Sequence, residues 1–187
     1  VHGIKFHPTF QLTNVDPEAS AEKITKVAER HATMLTGITS LAYDTPGYGD
    51  GVKDEDGVPV LQKRFAEIAK DFDVLYVLDN AWGVPFIGHD ITKSGADVII
   101  YSMDKASGSP TSGLIIGKEE FMVPIRRALG MHGDRYGTTS SYGKAAYVGF
   151  DPGKEAMLGM IAALKELRDN PENLKKPVDD MYDIVKE

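Results

Sequence analysis

Four short apolar runs punctuate the chain: 38-ITSLAY-43, 73-DVLYVLD-79, 96-ADVIIYS-102 and 112-SGLIIG-117. Runs of this length, rich in β-branched and aromatic residues and bounded by turn formers, predict strands. Elsewhere apolar residues recur at helical spacing. Asp16-Pro17 reads as an N-cap with proline in the first turn, ahead of Ile24, Val27, Ala28, His31 and Leu35 on one face. Leu61, Phe65, Ile68 and Phe72 mark a second helix, and Met157, Met160, Ile161, Leu164 and Leu167 mark a third that starts at Asp151-Pro152. The stretch from Asn170 to Glu187 is charged and broken by proline, and Val178, Met181, Ile184 and Val185 predict one more short helix there.

Nearly continuous apolar strands alternating with helices predict an α/β fold with a mostly parallel sheet covered on both faces, a three-layer αβα arrangement. Composition narrows the setting. The 187 residues are 42% hydrophobic and 26% charged, as in soluble globular proteins. No apolar run approaches the ~20 residues that span a bilayer. With no cysteine there are no disulfides or thiolate metal sites, and with no signal-peptide pattern at Val1 a cytoplasmic location is expected. The net charge of −7 argues against nonspecific nucleic-acid binding. The five histidines show no metal-ligand spacing, so no metal is expected. The opening Val1-His2-Gly3, without an initiator Met, reads as the start of a piece of a longer chain.

Ligands of an open α/β sheet bind beyond the carboxyl ends of its strands, where loops and helix N-termini converge. Two polar residues fall at such ends. Asp79 closes 73-DVLYVLD-79 and opens 79-DNAWG-83, and Lys105 follows 96-ADVIIYS-102 in 102-SMDK-105. If the two strands are neighbours, both side chains face one pocket. A desolvated lysine amine attacks carbonyl carbons and forms Schiff bases, and a buried carboxylate suits a protonated pyridine nitrogen. Those are the needs of pyridoxal phosphate, whose ring acts as an electron sink. Ala81 is small enough to lie beneath such a ring, and Ser102 can offer its hydroxyl to the phosphate. Taken singly, an Asp at a strand end is most often a turn cap and a Lys there is most often solvated. The ordered pair, each member followed by a small-residue loop, favours the site.

The Asp-x-Ala and Ser-x-x-Lys elements resemble those of the fold-type I (aspartate aminotransferase-like) pyridoxal phosphate enzymes. Within that superfamily, 102-SMDKASGSPTSGLIIGKEEF-121 and 143-GKAAYVGFDPGKEAMLGMIAALKEL-167 are similar to the bacterial selenocysteine synthase group. That group's relatives include amino-sugar-acid ammonia-lyases and archaeal homologues. The resemblance covers roughly Leu41 to Leu167. It implies that Lys105 carries the cofactor as a Schiff base, that Asp79 pairs with the ring nitrogen, and that Ala81 lies beneath the ring. It also implies a homodimer or larger homo-oligomer. The chemistry implied is exchange of Lys105 for a substrate amine, removal of the α-proton by the freed lysine, and departure of a β-substituent. Lyase or β-replacement (transferase) activity on an amino acid or similar amine is therefore expected ahead of aminotransferase activity. The sequence departs from that group at 79-DNAWG-83, where selenocysteine synthases are richer in Gly and Ser. It also shows no Gly/Ser/Thr-rich phosphate-cradling loop before Val15. Either the chain belongs to a longer protein, or it is a truncated homologue that serves as a noncatalytic scaffold. The acidic balance argues against transfer RNA as a partner, and a small amino substrate is expected instead.

On this reading residues 1–125 are part of the cofactor-binding large domain, 126–150 a Gly/Ser-rich loop region, and 151–187 a linking helix and the start of a small domain. Arg135, in 130-GMHGDRYGTTSSYGK-144, is a candidate for a substrate carboxylate or for the phosphate of a neighbouring subunit, and Thr111 and Ser112 are weaker candidates for that phosphate. The acidic loop 47-GYGDGVKDEDG-57 fits neither a phosphate loop nor the twelve-residue calcium pattern and reads as solvated. His89 reads as a non-ligand.

Overall fold

In a computed structural model of the chain, residues 16–42, 52–86, 91–105, 107–128 and 153–186 are described. They form an α/β fold with five helices and a mostly parallel four-stranded sheet in the order β1-β2-β3-β4. The strands are β1 (Gly37–Leu41), β2 (Leu75–Asp79), β3 (Val98–Ser102) and β4 (Gly113–Gly117). The chain divides within β2 into two compact units, Val1–Val77 with His89–Ala96, and Leu78–Gly88 with Asp97–Glu187.

In the first unit, α1 (Pro17–Arg30) begins as its sequence predicts, with the Asp16 carboxylate accepting the Ala19 N–H at 2.9 Å and Pro17 in the first turn. Helix α2 (Val60–Asp71) buries Leu61, Phe65, Ile68 and Ala69. It stops in a Schellman arrangement: the Val74 N–H reaches the Ala69 carbonyl at 2.9 Å and the Asp73 N–H reaches Lys70 at 3.1 Å. Asp73 sits at φ 52°, a conformation usually given to glycine but tolerated by Asp, and the chain passes directly into β2. There Tyr76 is wholly buried, edge-on to Phe65 with ring centroids 6.1 Å apart, and its hydroxyl meets Ser40 Oγ at 2.7 Å. Burial pushes the Tyr76 phenol well above its ordinary value.

The acidic turn before α2 also has a structural explanation. Asp54 Oδ1 accepts the Asp56 N–H at 3.0 Å and the Val58 N–H at 2.8 Å, while Oδ2 binds the Lys63 ammonium. Lys93, in the 3₁₀ turn Ile91–Ser94, pairs with Asp56 at 3.2 Å. These acids shape and neutralise a turn, and among the described residues no group of three His, Cys, Asp or Glu is placed to hold a metal.

In the second unit, β4 runs antiparallel to β3, with Ser102 opposite Gly113 and Val98 opposite Gly117. The reversal follows from the short connection, since a parallel return needs a crossover of a dozen or more residues. Leu78, Val98, Ile99, Tyr101 and Met103 are buried. Helix α3 (Glu119–Ala128), which the hydrophobic pattern does not announce because Pro124 interrupts it, follows β4. Helix α4 (Gly153–Asp169) buries Ala156 and Leu167 but leaves Met157 and Ile161 of its expected stripe exposed. Helix α5 (Glu172–Lys186) is longer than the proline-broken tail predicts. It runs through Pro177 and exposes Val178, Met181, Ile184 and Val185. On an exposed helix the carbonyl that loses its donor to a proline can turn to water, which lowers the cost of the interruption. Among the described residues no helix is long and apolar enough to cross a membrane.

Two outcomes test these energetics. Gln62 on α2 is 3% exposed, and among the described residues neither its amide nitrogen nor its amide oxygen has a partner. Gln62→Met, of similar shape without the orphaned dipole, should therefore raise stability in urea denaturation by about 1–3 kcal/mol. The Lys63 ammonium holds the Asp54 carboxylate below its ordinary value. A carboxyl with a depressed folded-state value contributes stability above its unfolded value, near pH ~4, and loses it as pH falls further. Asp54→Asn should accordingly flatten the acid limb of a stability–pH curve below that point and leave the neutral limb parallel to wild type.

Candidate active site

The carboxyl ends of β2 and β3, neighbours in the sheet, carry the residues singled out by sequence. Past Asp79 the chain folds into a tight turn pinned at three points. Asp79 Oδ1 accepts the Ala81 N–H at 3.0 Å, the Asn80 N–H donates to the Ile100 carbonyl of β3 at 2.8 Å, and the Gly83 N–H closes onto the Asn80 carbonyl at 3.1 Å. Gly83 leaves room for the Asn80 side chain, since a Cβ there would lie 2.3 Å from the Asn80 amide oxygen and force that side chain to shift. Asp79 thus does cap a turn, the role an isolated Asp would be given, yet only one of its oxygens is used. Among the described residues its other oxygen accepts nothing, and the residue is half-buried.

Past Ser102 the chain turns around Met103, which is 1% exposed. The Met103 N–H donates to the Ser112 carbonyl at 2.9 Å, one step beyond the β3–β4 ladder. Its carbonyl gathers the Ser107 hydroxyl, the Ser109 hydroxyl at 2.7 Å and the Ser109 N–H at 3.2 Å. Small hydroxyl residues are needed here because the loop has few apolar side chains to anchor it, and a buried carbonyl left unpaired is costly. Helix α4 presses on the same loop at Gly159, where an added Cβ would sit 2.6 Å from Pro110 Cδ.

This knot turns Met103 inward and Lys105 outward. Lys105 is exposed, so the desolvated setting expected for its amine is not what the described residues provide. Its Nζ lies instead over the indole of Trp82, 4.8 Å from the ring centroid. Amine and turn therefore meet across the two strand ends. The remaining candidates are placed less simply. The Ser102 hydroxyl donates to Asp104 within its own turn. The Ser112 hydroxyl donates to the Pro110 carbonyl at 2.8 Å and lies 3.2 Å from Ser109 Oγ, while Thr111 is exposed. Ala81 is half-buried beside Asp79. Arg135, His89 and the Asp151-Pro152 cap lie outside the described residues.

Sequence reasoning passed over Trp82, Ser107 and Ser109. Trp82 was legible as the chain's single tryptophan, placed next to the small residue of the Asp-x-Ala element. The two serines gave no signal beyond their loop composition. A shallow concavity lined by α1 and α2, including Asp16, Thr25 and Arg64, contains none of the candidate residues.

Comparison with known proteins bears on this arrangement. No family model matches the chain. The L-seryl-tRNA(Sec) selenium transferase of Carboxydothermus hydrogenoformans is 25% identical over 165 residues, covering 84% of this chain and 34% of that protein. The enzyme of the same name from Geobacter metallireducens is 28% identical over 103 residues, covering 53% and 22%. The chain thus spans about a third or less of the length of these relatives. Among solved structures, a SepCysS–SepCysE N-terminal domain complex superimposes with a TM-score of 0.53 at 15% identity, over 83% of this chain and 38% of that one. Serine palmitoyltransferase from S. paucimobilis with bound PLP-myriocin gives 0.51 at 15% identity, over 83% and 36%. With Asp79 and Lys105 at adjacent strand ends, the chain has the fold of the fold-type I pyridoxal phosphate enzymes and is related in sequence to selenium transferases of that class.

Proposed function

We propose that this chain carries the lysine-bearing half of a pyridoxal phosphate site and acts on an amino acid or similar amine, by lyase or β-replacement chemistry. The observation that carries the reading is the meeting of the Lys105 amine with the Asp79–Gly83 turn across the ends of β2 and β3. The donor set suits the cofactor in three respects: an accessible primary amine at Lys105, an uncommitted carboxylate oxygen on Asp79, and a small side chain at Ala81. When bound, pyridoxal phosphate supplies an electron sink for negative charge at the α-carbon of an amine substrate. Lys105 would hold the cofactor covalently and, once displaced by the substrate amine, take the α-proton at Nζ. Asp79 would keep a pyridine nitrogen protonated through its open oxygen. Ser102, Thr111, Ser112 and Arg135 are proposed for the phosphate or a substrate carboxylate. For Ser102 and Ser112 this requires exchange of their present bonds to Asp104 and Pro110.

Elimination or replacement is favoured over transamination because the sequence relatives are named L-seryl-tRNA(Sec) selenium transferases, and moving selenium onto a seryl group replaces its β-oxygen. The net charge of −7 disfavours RNA contact, so the substrate proposed is a small amine, in a homodimeric or larger assembly. A second reading, a noncatalytic scaffold of the same fold, draws on the exposure of Lys105 and the engaged hydroxyls of Ser102 and Ser112.

Borohydride reduction after incubation with pyridoxal phosphate, followed by peptide mass mapping, separates the two. The enzyme reading expects the pyridoxyl mass at Lys105, its loss in Lys105→Ala, and about tenfold or greater weakening of uptake in Asp79→Ala, the size of a charge-assisted hydrogen bond. Label scattered over surface lysines, and equal in wild type and Lys105→Ala, would leave the scaffold.

A further inference from the structure

Trp82 is 61% exposed, so burial within this chain does not explain a large aromatic at that position. Its backbone, by contrast, is tightly fixed. The flanking Ala81 and Gly83 N–H groups are both committed, and the turn is tied to β3 through Asn80 and Ile100. Facing it, Lys105 projects from a loop fixed by the bonds converging on the Met103 carbonyl. Two rigid strand-end segments thus present an indole face and a primary amine to each other, with Nζ 4.8 Å from the ring centroid. The ring's electron-rich face attracts an ammonium and gives no comparable hold on a neutral amine.

We propose that Trp82 is a positioning residue for Lys105, its indole face serving as the dock on which the lysine rests while its amine is unbound and protonated. This rests on Lys105 being the cofactor's anchor. The dock restricts a long, solvent-exposed side chain to the segment that also bears Asp79 and Ala81. The side chain therefore starts, and after taking up a proton returns, within reach of the ring it must bond. A lysine without such a dock samples many rotamers and seldom points at the site.

Because the chain has a single tryptophan, its indole emission reports Trp82 alone. Without cofactor, Lys105→Met should change the emission intensity and the access of caesium ions to the ring. Lys105→Arg, which keeps a cation over the face, should stay close to wild type, and Lys93→Met should change neither. Emission and caesium quenching unchanged in Lys105→Met would overturn the dock. With pyridoxal phosphate added, Trp82→Leu should slow the labelling of Lys105 about two- to fivefold, the population shift that an exposed contact of this kind supports, and Trp82→Phe should recover most of it. Equal rates in wild type and Trp82→Leu would remove the positioning role. If wild type takes up no label at Lys105, the cofactor reading fails by itself, and the cofactor-free comparison still decides the dock.

Discussion

The candidate site depends on one hydrogen bond at the end of a strand pair, from the Asn80 N–H to the Ile100 carbonyl at 2.8 Å. It continues the pairing of β2 with β3 for one residue past Asp79, and so fixes where the turn after β2 stands relative to the loop after β3. Asp79 itself ends β2, so what this bond adds is the placement of the Asn80–Gly83 turn, Trp82 included, against the loop that bears Lys105. With it, two segments far apart in sequence share one edge of the sheet. Leu78 and Tyr101, buried in the strands behind them, hold that edge in place.

Beyond the strand ends, polar satisfaction takes over from burial. The turn after β2 uses an aspartate, an asparagine and a glycine, and the loop after β3 uses two serines around a buried backbone carbonyl. Loops poor in apolar side chains are stiffened by pairing their backbone groups, as the Ala81, Asn80 and Gly83 N–H groups and both polar groups of Met103 are here. The same economy explains the state of the proposed phosphate ligands. Hydroxyls at Ser102 and Ser112 that stiffen their own segments are occupied until something with stronger acceptors competes for them.

Charge is used differently around Asp54 and around the strand ends. Around Asp54, acids and lysines neutralise one another and shape a turn, so a run that looks like a cation site is a structural device. Near the site, among the described residues, one oxygen of Asp79 accepts nothing and the amine of Lys105 is exposed.

The sequence by itself determined the strands, the helices α1, α2 and α4, the α/β class, and the places of Asp79 and Lys105 at strand ends, because hydrophobic periodicity and strand-end punctuation are local properties. It missed α3 and shortened α5, because Pro124 and Pro177 read as breaks when only their local cost is counted. It also placed Lys105 in a desolvated pocket. Only the tertiary structure decided that Met103 takes the interior position and Lys105 the exposed one, that β4 returns antiparallel, and that Trp82 faces the amine. Those outcomes depend on which backbone groups of distant segments pair, and no window along the chain contains both partners.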